Sequence, residues 1–239
     1  MKRNQSGFTL IEIAIVLVII GLLLGGVLKG QELINSAKVK NLATDFKNIP
    51  VYIYGYQDKF RALPGDDFAV ASHVGAAGTE ATTPSTGLNG VACVPPTGHA
   101  GCVGNGVIDG FWNTTTTTDE SYLFWQHVRL AGLAAGSTTV GAADYLPTNA
   151  VGGTLGIQSG TSTANTPIKD ANNNPIRGSY VICSSGILGK FVKQLDTQMD
   201  DGNPATGSMI AGAPTTVGTA MTAATTIDDA STYTVCMGI

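Results

Sequence analysis

The N-terminal segment carries one acidic side chain, Glu12, inside an apolar run that is long enough to cross a membrane. The run extends from Phe8 to Leu28, and no charge occurs between Ile13 and Leu28. A carboxylate inside a bilayer costs about 2.5 to 3.5 kcal/mol even on insertion scales, so such residues usually have a charged partner. A cut after the small residue Gly7 would create one, the new amine of Phe8 on a neighbouring copy of the chain. Glu12 therefore predicts ion pairing between chains in a polymer.

A second group of residues that could do chemistry is a set of oxygen ligands near the C-terminus: Asp196, Asp200, Asp201 and Asn203. Calcium is bound in proteins by about six to eight such oxygens. The spacing does not match an EF-hand loop, and an Asp-Asp-Gly turn also ends a helix for purely structural reasons. The sequence thus offers calcium as one explanation of this cluster and a helix stop as the other, and it predicts no other cofactor.

Motifs of the common hydrolases and nucleotide-binding proteins are absent from the sequence. There is no G-x-S-x-G, no H-E-x-x-H and no Walker loop, and the glycine-rich GCVGNGVIDG does not open a recognisable helix. The three histidines are far apart along the chain, so a catalytic site would have to be assembled by the fold. We therefore predict that the protein is not an enzyme. A membrane-anchored periplasmic enzyme is the competing class.

The composition favours an exported protein. Charged residues make up 13% of the chain, about half the usual share. The formal net charge of -4 gives no electrostatic site for nucleic acid. The four cysteines are an even number without C-x-x-C spacing, which fits disulfides in an exported domain better than zinc. The preferred pairs are Cys93 with Cys102, which closes a short loop, and Cys183 with Cys236, on two predicted strands of one sheet.

A long N-terminal helix is needed to position these residues. Lys2 and Arg3 precede the apolar run, so the positive-inside rule places the N-terminus in the cytoplasm and the bulk of the chain across the membrane. The run is longer than the core of a signal peptide, and no A-x-A site follows it. Beyond the run, apolar residues recur in steps of three and four. This pattern predicts that the helix continues to about Phe60, with a kink at Pro50.

The remainder of the chain predicts a mixed α and β head. Leu63-Pro64-Gly65 ends the long helix, and residues 64–118, rich in Gly, Thr and Pro, predict a long surface loop. Asp119 predicts the N-cap of a short helix, in which Trp125 lies in the core and His127 is either hydrogen-bonded or exposed. Further predicted elements, in chain order, are a strand at Tyr180–Ser184, a helix at Leu188–Met199, and strands at Ser208–Ala211 and Tyr233–Met237.

The order of residues at the N-terminus resembles that of type IV pilins and pseudopilins: Lys2-Arg3, then Gly7-Phe8, then Glu12, then an apolar helix. The resemblance implies that a prepilin peptidase cuts after Gly7 and methylates the new amine of Phe8. It also implies that Glu12 pairs charges between subunits. The LPGDD, ESYLFW and DTQMDDGNPATG segments are similar to a subgroup of bacterial pilin-like proteins.

The predicted fold class is therefore α+β and pilin-like. A long N-terminal helix carries a C-terminal antiparallel sheet in a loop-rich head that is held by disulfides. The expected boundaries are residues 1–7 for the leader peptide, 8–28 for the transmembrane and filament-core helix, 29–62 for the amphipathic half of the helix, and 63–239 for the exported head.

The function that the resemblance implies is that of a structural subunit in a type IV pilus-like filament. Expected partners are other copies of the chain, the prepilin peptidase, an inner-membrane assembly platform and, before assembly, membrane lipid. The precursor would lie in the inner membrane with its head in the periplasm, and the mature subunit in a surface pilus or a periplasmic pseudopilus. Alternatives left open are a minor pilin, a type II secretion pseudopilin, and a pilus-tip adhesin or ligand-binding module.

Overall fold

The structure of the chain is a computed structural model that describes residues 10–83, 96–160 and 166–239. Five residues named above, Lys2, Arg3, Gly7, Phe8 and Cys93, lie outside the described residues. Helices in the described part, in chain order, are α1 (Leu10–Phe60), α2 (Val70–Val74), α3 (Glu120–Leu130) and α4 (Gly189–Met199). Strands are β1 (Leu155–Ser159), β2 (Ile168–Lys169), β3 (Tyr180–Leu188), β4 (Met209–Gly212), β5 (Met221–Thr222) and β6 (Thr232–Gly238).

Helix α1 is the long N-terminal helix that the apolar periodicity predicts. It runs without a break through Pro50 and ends at Phe60, as expected; the kink at Pro50 stays a prediction. Arg61 follows in the left-handed conformation, with φ of 57°, and its N–H donates to the carbonyl of Gln57 at 2.8 Å. This left-handed residue ends the helix before the predicted Leu63-Pro64-Gly65 stop is reached. The buried stripe of α1 consists of Val39, Leu42, Ala43, Phe46, Ile49, Ile53 and Tyr56.

The centre of the head is a four-stranded antiparallel sheet with strand order β1-β3-β6-β4. Side chains alternate between its two faces. One face, with Ile182 and Val235, joins the core formed with α1, α3 and α4. The other face, with Val181 and Ile210, packs on the small parallel pair β2-β5. The predicted α+β class with an antiparallel sheet is confirmed.

The Cys183–Cys236 disulfide joins the two central strands of this sheet, as predicted. The two residues are paired in register across β3 and β6, with Cα atoms 4.0 Å apart, and both are fully buried. The bond closes a sequence separation of 53 residues. A loop of this length corresponds to about 4 kcal/mol of stabilisation in the chain-entropy model. The pairing of Cys102 with Cys93 stays a prediction, since Cys93 is outside the described residues.

The expectation of a loop over residues 64–118 agrees with the irregular backbone of its described part, but part of this segment is buried and does not lie at the surface. Regular structure is sparse there, with the short helix α2 and a bridge between Thr83 and Asp119. Yet Val103 and Ile108 are almost completely buried, and so are several carboxylates. The backbone of this segment is held by hydrogen bonds to side chains instead of by pairing between strands. Hydrophobic periodicity in the sequence does not reveal such hydrogen bonds.

Candidate functional site

The N-terminal part of α1 is an apolar surface that the head does not cover. Within the described residues, α1 contains an apolar stretch long enough to span a membrane by length and composition, and none of that stretch is buried. Leu10 is 91% exposed and Leu22 is 73% exposed, whereas Leu42 is fully buried. The change from exposed to buried apolar residues begins at Val39, so the helix has an outer half without intramolecular packing and an inner half in the core.

Glu12 lies in the first turn of the described helix and is exposed on the isolated chain. The next charged residue, Lys29, follows 17 positions later, which is about 25 Å along the helix axis. Lys29 forms an exposed ion pair with Glu32 at 2.7 Å. Glu12 is therefore an acidic group separated from the other charges of the helix by an apolar segment. The roles of Gly7 and Phe8 stay predictions.

The predicted oxygen cluster is assembled at the C-terminal end of α4. Asp196, Asp200 and Asp201 can each offer a carboxylate oxygen such that all three oxygens lie within 4.8 Å of one another. Asp196 is 1% exposed, and both its carboxylate oxygens are buried without a hydrogen-bond partner in the structure. Burial and the charges of Asp201 and Asp200 raise the pKa of Asp196 to about 6, against a smaller opposite effect of the backbone N–H of Gly202. A buried, unsatisfied carboxylate beside two others fits a cation.

The other members of the cluster also hold the loop that follows α4. Asp200 accepts hydrogen bonds from the hydroxyl of Ser208 and from the N–H of Met209, at 3.0 and 2.8 Å. Asp201 accepts the N–H of Asn203 at 2.8 Å. The Asn203 side chain accepts a loop N–H in turn, at 3.2 Å. These hydrogen bonds join Asp200 and Asp201 to the loop and fix their positions. The oxygens of Asp196 are the ones that remain available to coordinate a cation.

A second group of buried acids lies under the irregular segment and was missed by the sequence analysis. Asp66 accepts hydrogen bonds from the backbone N–H groups of Gly104, Asn105 and Gly106. Burial raises the pKa of Asp66 to about 7 against the effect of these three donors. The sequence predicts a helix stop at Leu63-Pro64-Gly65 and gives no structural role to the following Asp66, yet this aspartate organises the loop at 104–106. A buried carboxylate needs hydrogen-bond donors around it. Those of Asp66 are distant in sequence, so they can be identified only from the three-dimensional structure.

Glu120 is the most strongly perturbed acid of this group. Its Oε2 accepts the N–H of Asp109 at 2.7 Å, and its Oε1 is buried with no hydrogen-bond partner in the structure. Burial, followed by the negative charge of Asp66, raises the pKa of Glu120 to about 9. Asp119, the predicted N-cap, precedes α3 but makes no side-chain cap. Instead its carboxylate accepts the hydroxyls of Thr83 and Thr114.

The three histidines occupy three separate hydrogen-bond networks. His127 is fully buried: its Nδ1 accepts the N–H of Gly65 at 2.9 Å and its Nε2 donates to the carbonyl of Thr79 at 2.8 Å. These contacts define a neutral imidazole, in line with the effect of burial, which lowers the pKa of His127. The other two histidines pair with acids, His73 with Asp67 at 2.7 Å and His99 with Glu80 at 2.8 Å.

Comparison with known proteins supports the N-terminal assignment. Residues 2–28 match the family model of the prokaryotic N-terminal methylation motif. This motif is the signature of type IV pilin and pseudopilin prepilins, so the resemblance drawn from Lys2-Arg3, Gly7-Phe8 and Glu12 is confirmed. No curated protein and no solved structure matches the chain. The chain therefore carries the N-terminal methylation motif, which includes the first part of the apolar helix and precedes the disulfide-bonded head.

Proposed function

We propose that the protein is a structural subunit of a type IV pilus-like filament, processed after Gly7 and polymerised through α1. The observation that carries the proposal is the uncovered apolar half of α1, whose first part lies within residues 2–28, the residues that match the methylation motif. In general, this motif implies processing by a prepilin peptidase and self-assembly into a filament. Catalysis has no part in the proposal, since the motif is that of structural subunits.

The exposed apolar side chains explain why the chain should alternate between membrane and polymer. Leu17 and Leu23 are 63% and 64% exposed on the isolated chain. Moving a leucine of this kind out of water stabilises by about 1.5 to 3 kcal/mol. Summed over the whole apolar stretch, the free-energy cost of exposing these side chains to water is too large. The helix must therefore lie in lipid or in a bundle with other copies of itself. The bundle has the further advantage of offering Glu12 a charged partner.

The proposed location follows from the same helix. A precursor with Lys2 and Arg3 before the apolar stretch would keep its N-terminus in the cytoplasm and its head in the periplasm. The head would then coat a filament at the cell surface or in the periplasm, assembled by an inner-membrane platform. The buried Cys183–Cys236 disulfide supports an oxidising destination.

Mass spectrometry of the native cells tests the processing step. We expect the chain to begin at N-methylated Phe8 and to be recovered in the sheared extracellular fraction, because cleavage frees the amine that Glu12 pairs with. Abundant mature chain in that fraction would identify a major pilin. Mature chain confined to the membrane would identify a minor pilin or pseudopilin, and an uncleaved chain beginning at Met1 in every fraction would contradict the proposal.

We also propose that the carboxylates at the end of α4 hold a calcium ion. The specific support is Asp196, whose two buried oxygens accept no hydrogen bond of normal geometry, beside Asp200 and Asp201. Calcium prefers carboxylate and carbonyl oxygens, and Asn203 could add an amide oxygen from the same loop. Bound calcium would supply the positive charge that the buried Asp196 lacks and would tie the loop to α4.

Calcium is therefore expected to stabilise the folded head. At a concentration about 100 times the Kd, a ligand adds about 2.7 kcal/mol, which for a chain of this size raises the Tm by about 5 to 10 °C. Thermal unfolding in excess calcium and in excess chelator measures the shift. Asp196→Asn should abolish the shift, whereas Asp170→Asn, in an exposed loop, should keep it. An identical Tm in calcium and in chelator would contradict the proposed calcium site.

A further inference from the structure

The loop that wraps Asp66 contains an asparagine followed by a glycine, Asn105–Gly106. Both residues are exposed, and their backbone N–H groups point at the buried carboxylate. The N–H of Gly106 donates to Oδ2 of Asp66 at 2.7 Å. The carboxylate of Asp66 thus accepts the hydrogen bond of the Gly106 nitrogen, which is the backbone nitrogen that can attack the side-chain amide of Asn105. Attack by this nitrogen closes a five-membered ring.

The Asn105 side chain is held at both ends of its amide. Its Oδ1 accepts the N–H of Val107 at 2.7 Å, and its Nδ2 donates to Oδ2 of Asp109 at 2.8 Å. The first bond polarises the carbonyl and stabilises the negative charge that develops on Oδ1 when its carbon is attacked. Gly106 has a φ of 80°, and open space surrounds the position that a Cβ would take. The attacking nitrogen is therefore unhindered by a side chain.

We propose that Asn105–Gly106 is a self-modifying site, at which the fold converts the Asn105 amide into a carboxylate. Asp66 acts as the general base, the N–H of Val107 acts as the oxyanion donor, and solvent supplies the water. The product is aspartate or isoaspartate at position 105. This inference is independent of the proposed filament role, since it rests on the head alone.

The reaction balances with water as the only co-reactant. The carboxylate of Asp66 takes the proton from the Gly106 nitrogen as this nitrogen bonds to Cγ of Asn105. The bond between Cγ and Nδ2 then breaks, and Nδ2 leaves as ammonia after it receives a proton that returns from Asp66 through solvent. The resulting succinimide adds water across one of its two carbonyl–nitrogen bonds. Opening at one bond gives aspartate, and opening at the other gives isoaspartate.

The environment of Asp66 suits this role at neutral pH. Burial raises its pKa to about 7, which makes the carboxylate a stronger base than an exposed aspartate while a large fraction remains ionised. A base is most effective when its pKa lies near the working pH. The three backbone donors hold the carboxylate in place, so no side-chain rotation is needed before proton transfer.

The modification would alter the loop that makes it. A carboxylate at position 105 would face Asp109 in place of the neutral amide, and the two negative charges would repel at hydrogen-bond distance. The isoaspartate product would also lengthen the backbone between two of the N–H donors to Asp66. The reaction is therefore expected to loosen residues 104–106 on older molecules and to stop once Asn105 is consumed.

The test compares rates in the folded and unfolded states of the same full-length chain, purified in detergent and kept at neutral pH and constant temperature. Peptide mass spectrometry with isoaspartate detection measures conversion at Asn105. In guanidinium chloride, Asn89 provides an internal reference, because both asparagines are followed by Gly-Val. We expect similar rates at the two sites in the unfolded chain. In the folded chain, we expect Asn105 to be converted at least about tenfold faster than in the unfolded chain.

Two variants separate the roles of the residues. Asn105→Gln should show no conversion at position 105, since its longer side chain does not form the five-membered ring readily. Asp66→Asn should lower the folded-state rate towards that of the unfolded chain. If Asp66→Asn does not fold, the comparison of folded and unfolded wild-type chains still shows whether the fold accelerates the conversion of Asn105. Conversion of Asn105 that is equal or slower in the folded wild-type chain would overturn the proposal.

Discussion

Replacement of Glu12 by alanine is expected to abolish incorporation of the chain into filaments and to leave cleavage after Gly7 intact. In the polymer the Phe8 amine would lie in apolar surroundings, and removal of its carboxylate partner would leave a buried charge unpaired. Breaking a buried pair in this way costs about 3 to 5 kcal/mol. Since each 1.4 kcal/mol is a factor of ten, the loss of incorporation should be about a hundredfold or more.

The measurement is the ratio of mature chain in the sheared filament fraction to mature chain in the membrane. Glu32→Ala is the matched control, because Glu32 is a carboxylate on the same helix whose ion pair with Lys29 is exposed. Exposed pairs of this kind contribute about 1 kcal/mol or less. The control should therefore assemble nearly normally. Normal filament yield from Glu12→Ala would show that the helix bundle forms without the proposed charge pair.

The long helix could be predicted from sequence because its two halves each carry a strong local signal. The uncharged run to Leu28 fixes the apolar half, and the steps of three and four to Phe60 fix the amphipathic half. The end at about Phe60 was predicted correctly, but the residue that ends the helix was not, because the left-handed conformation of Arg61 is uncommon for a residue with a side chain. The methylation motif was recoverable for a different reason, since its residues are contiguous.

The sheet was predicted only in part. The strands around Cys183 and Cys236 have hydrophobic runs and were found, but β1 reads Leu-Gly-Ile-Gln-Ser and was missed. Its side chains are all buried, and Gln158 is tolerated inside because it accepts the N–H of Trp112 at 3.0 Å. The two-residue strands β2 and β5 are held by pairing with each other, which no local pattern encodes.

The candidate sites show the same division between local and non-local information. The carboxylates at the end of α4 are near neighbours in sequence, so their cluster could be predicted. Asp66 and Glu120 are separated by more than fifty positions and meet only in the fold. Acidic residues are normally exposed to solvent, and the burial of both Asp66 and Glu120 is contrary to that expectation. The physical consequence is a head whose stability depends on pH in an unusual direction.

Glu120 is expected to make the folded head less stable as the pH rises through neutrality. Burial and the charges of Asp66, Asp109 and Asp119 raise its pKa from 4.5 to about 9. Between these values the folded chain holds a proton that the unfolded chain has released. Stability is therefore fully present below pH 4.5 and is lost as the pH rises towards 9, the opposite of an acid whose pKa is lowered by a salt bridge. Asp66 acts in the same direction from 3.8 to about 7.

The interval from pH 7 to 9 isolates Glu120, because the effect of Asp66 is largely complete at pH 7. In this interval one extra bound proton gives a slope of up to about 1.4 kcal/mol per pH unit in the free energy of unfolding. Glu120→Gln removes the titration and should flatten the slope, whereas Asp58→Asn, at an exposed position on α1, should leave it unchanged. Guanidinium unfolding at pH 7, 8 and 9 gives the slopes. Parallel slopes for wild type and Glu120→Gln would mean that Glu120 is already ionised in the folded head at pH 7, with its Oε1 neutralised by a positive charge or a donor acting on it.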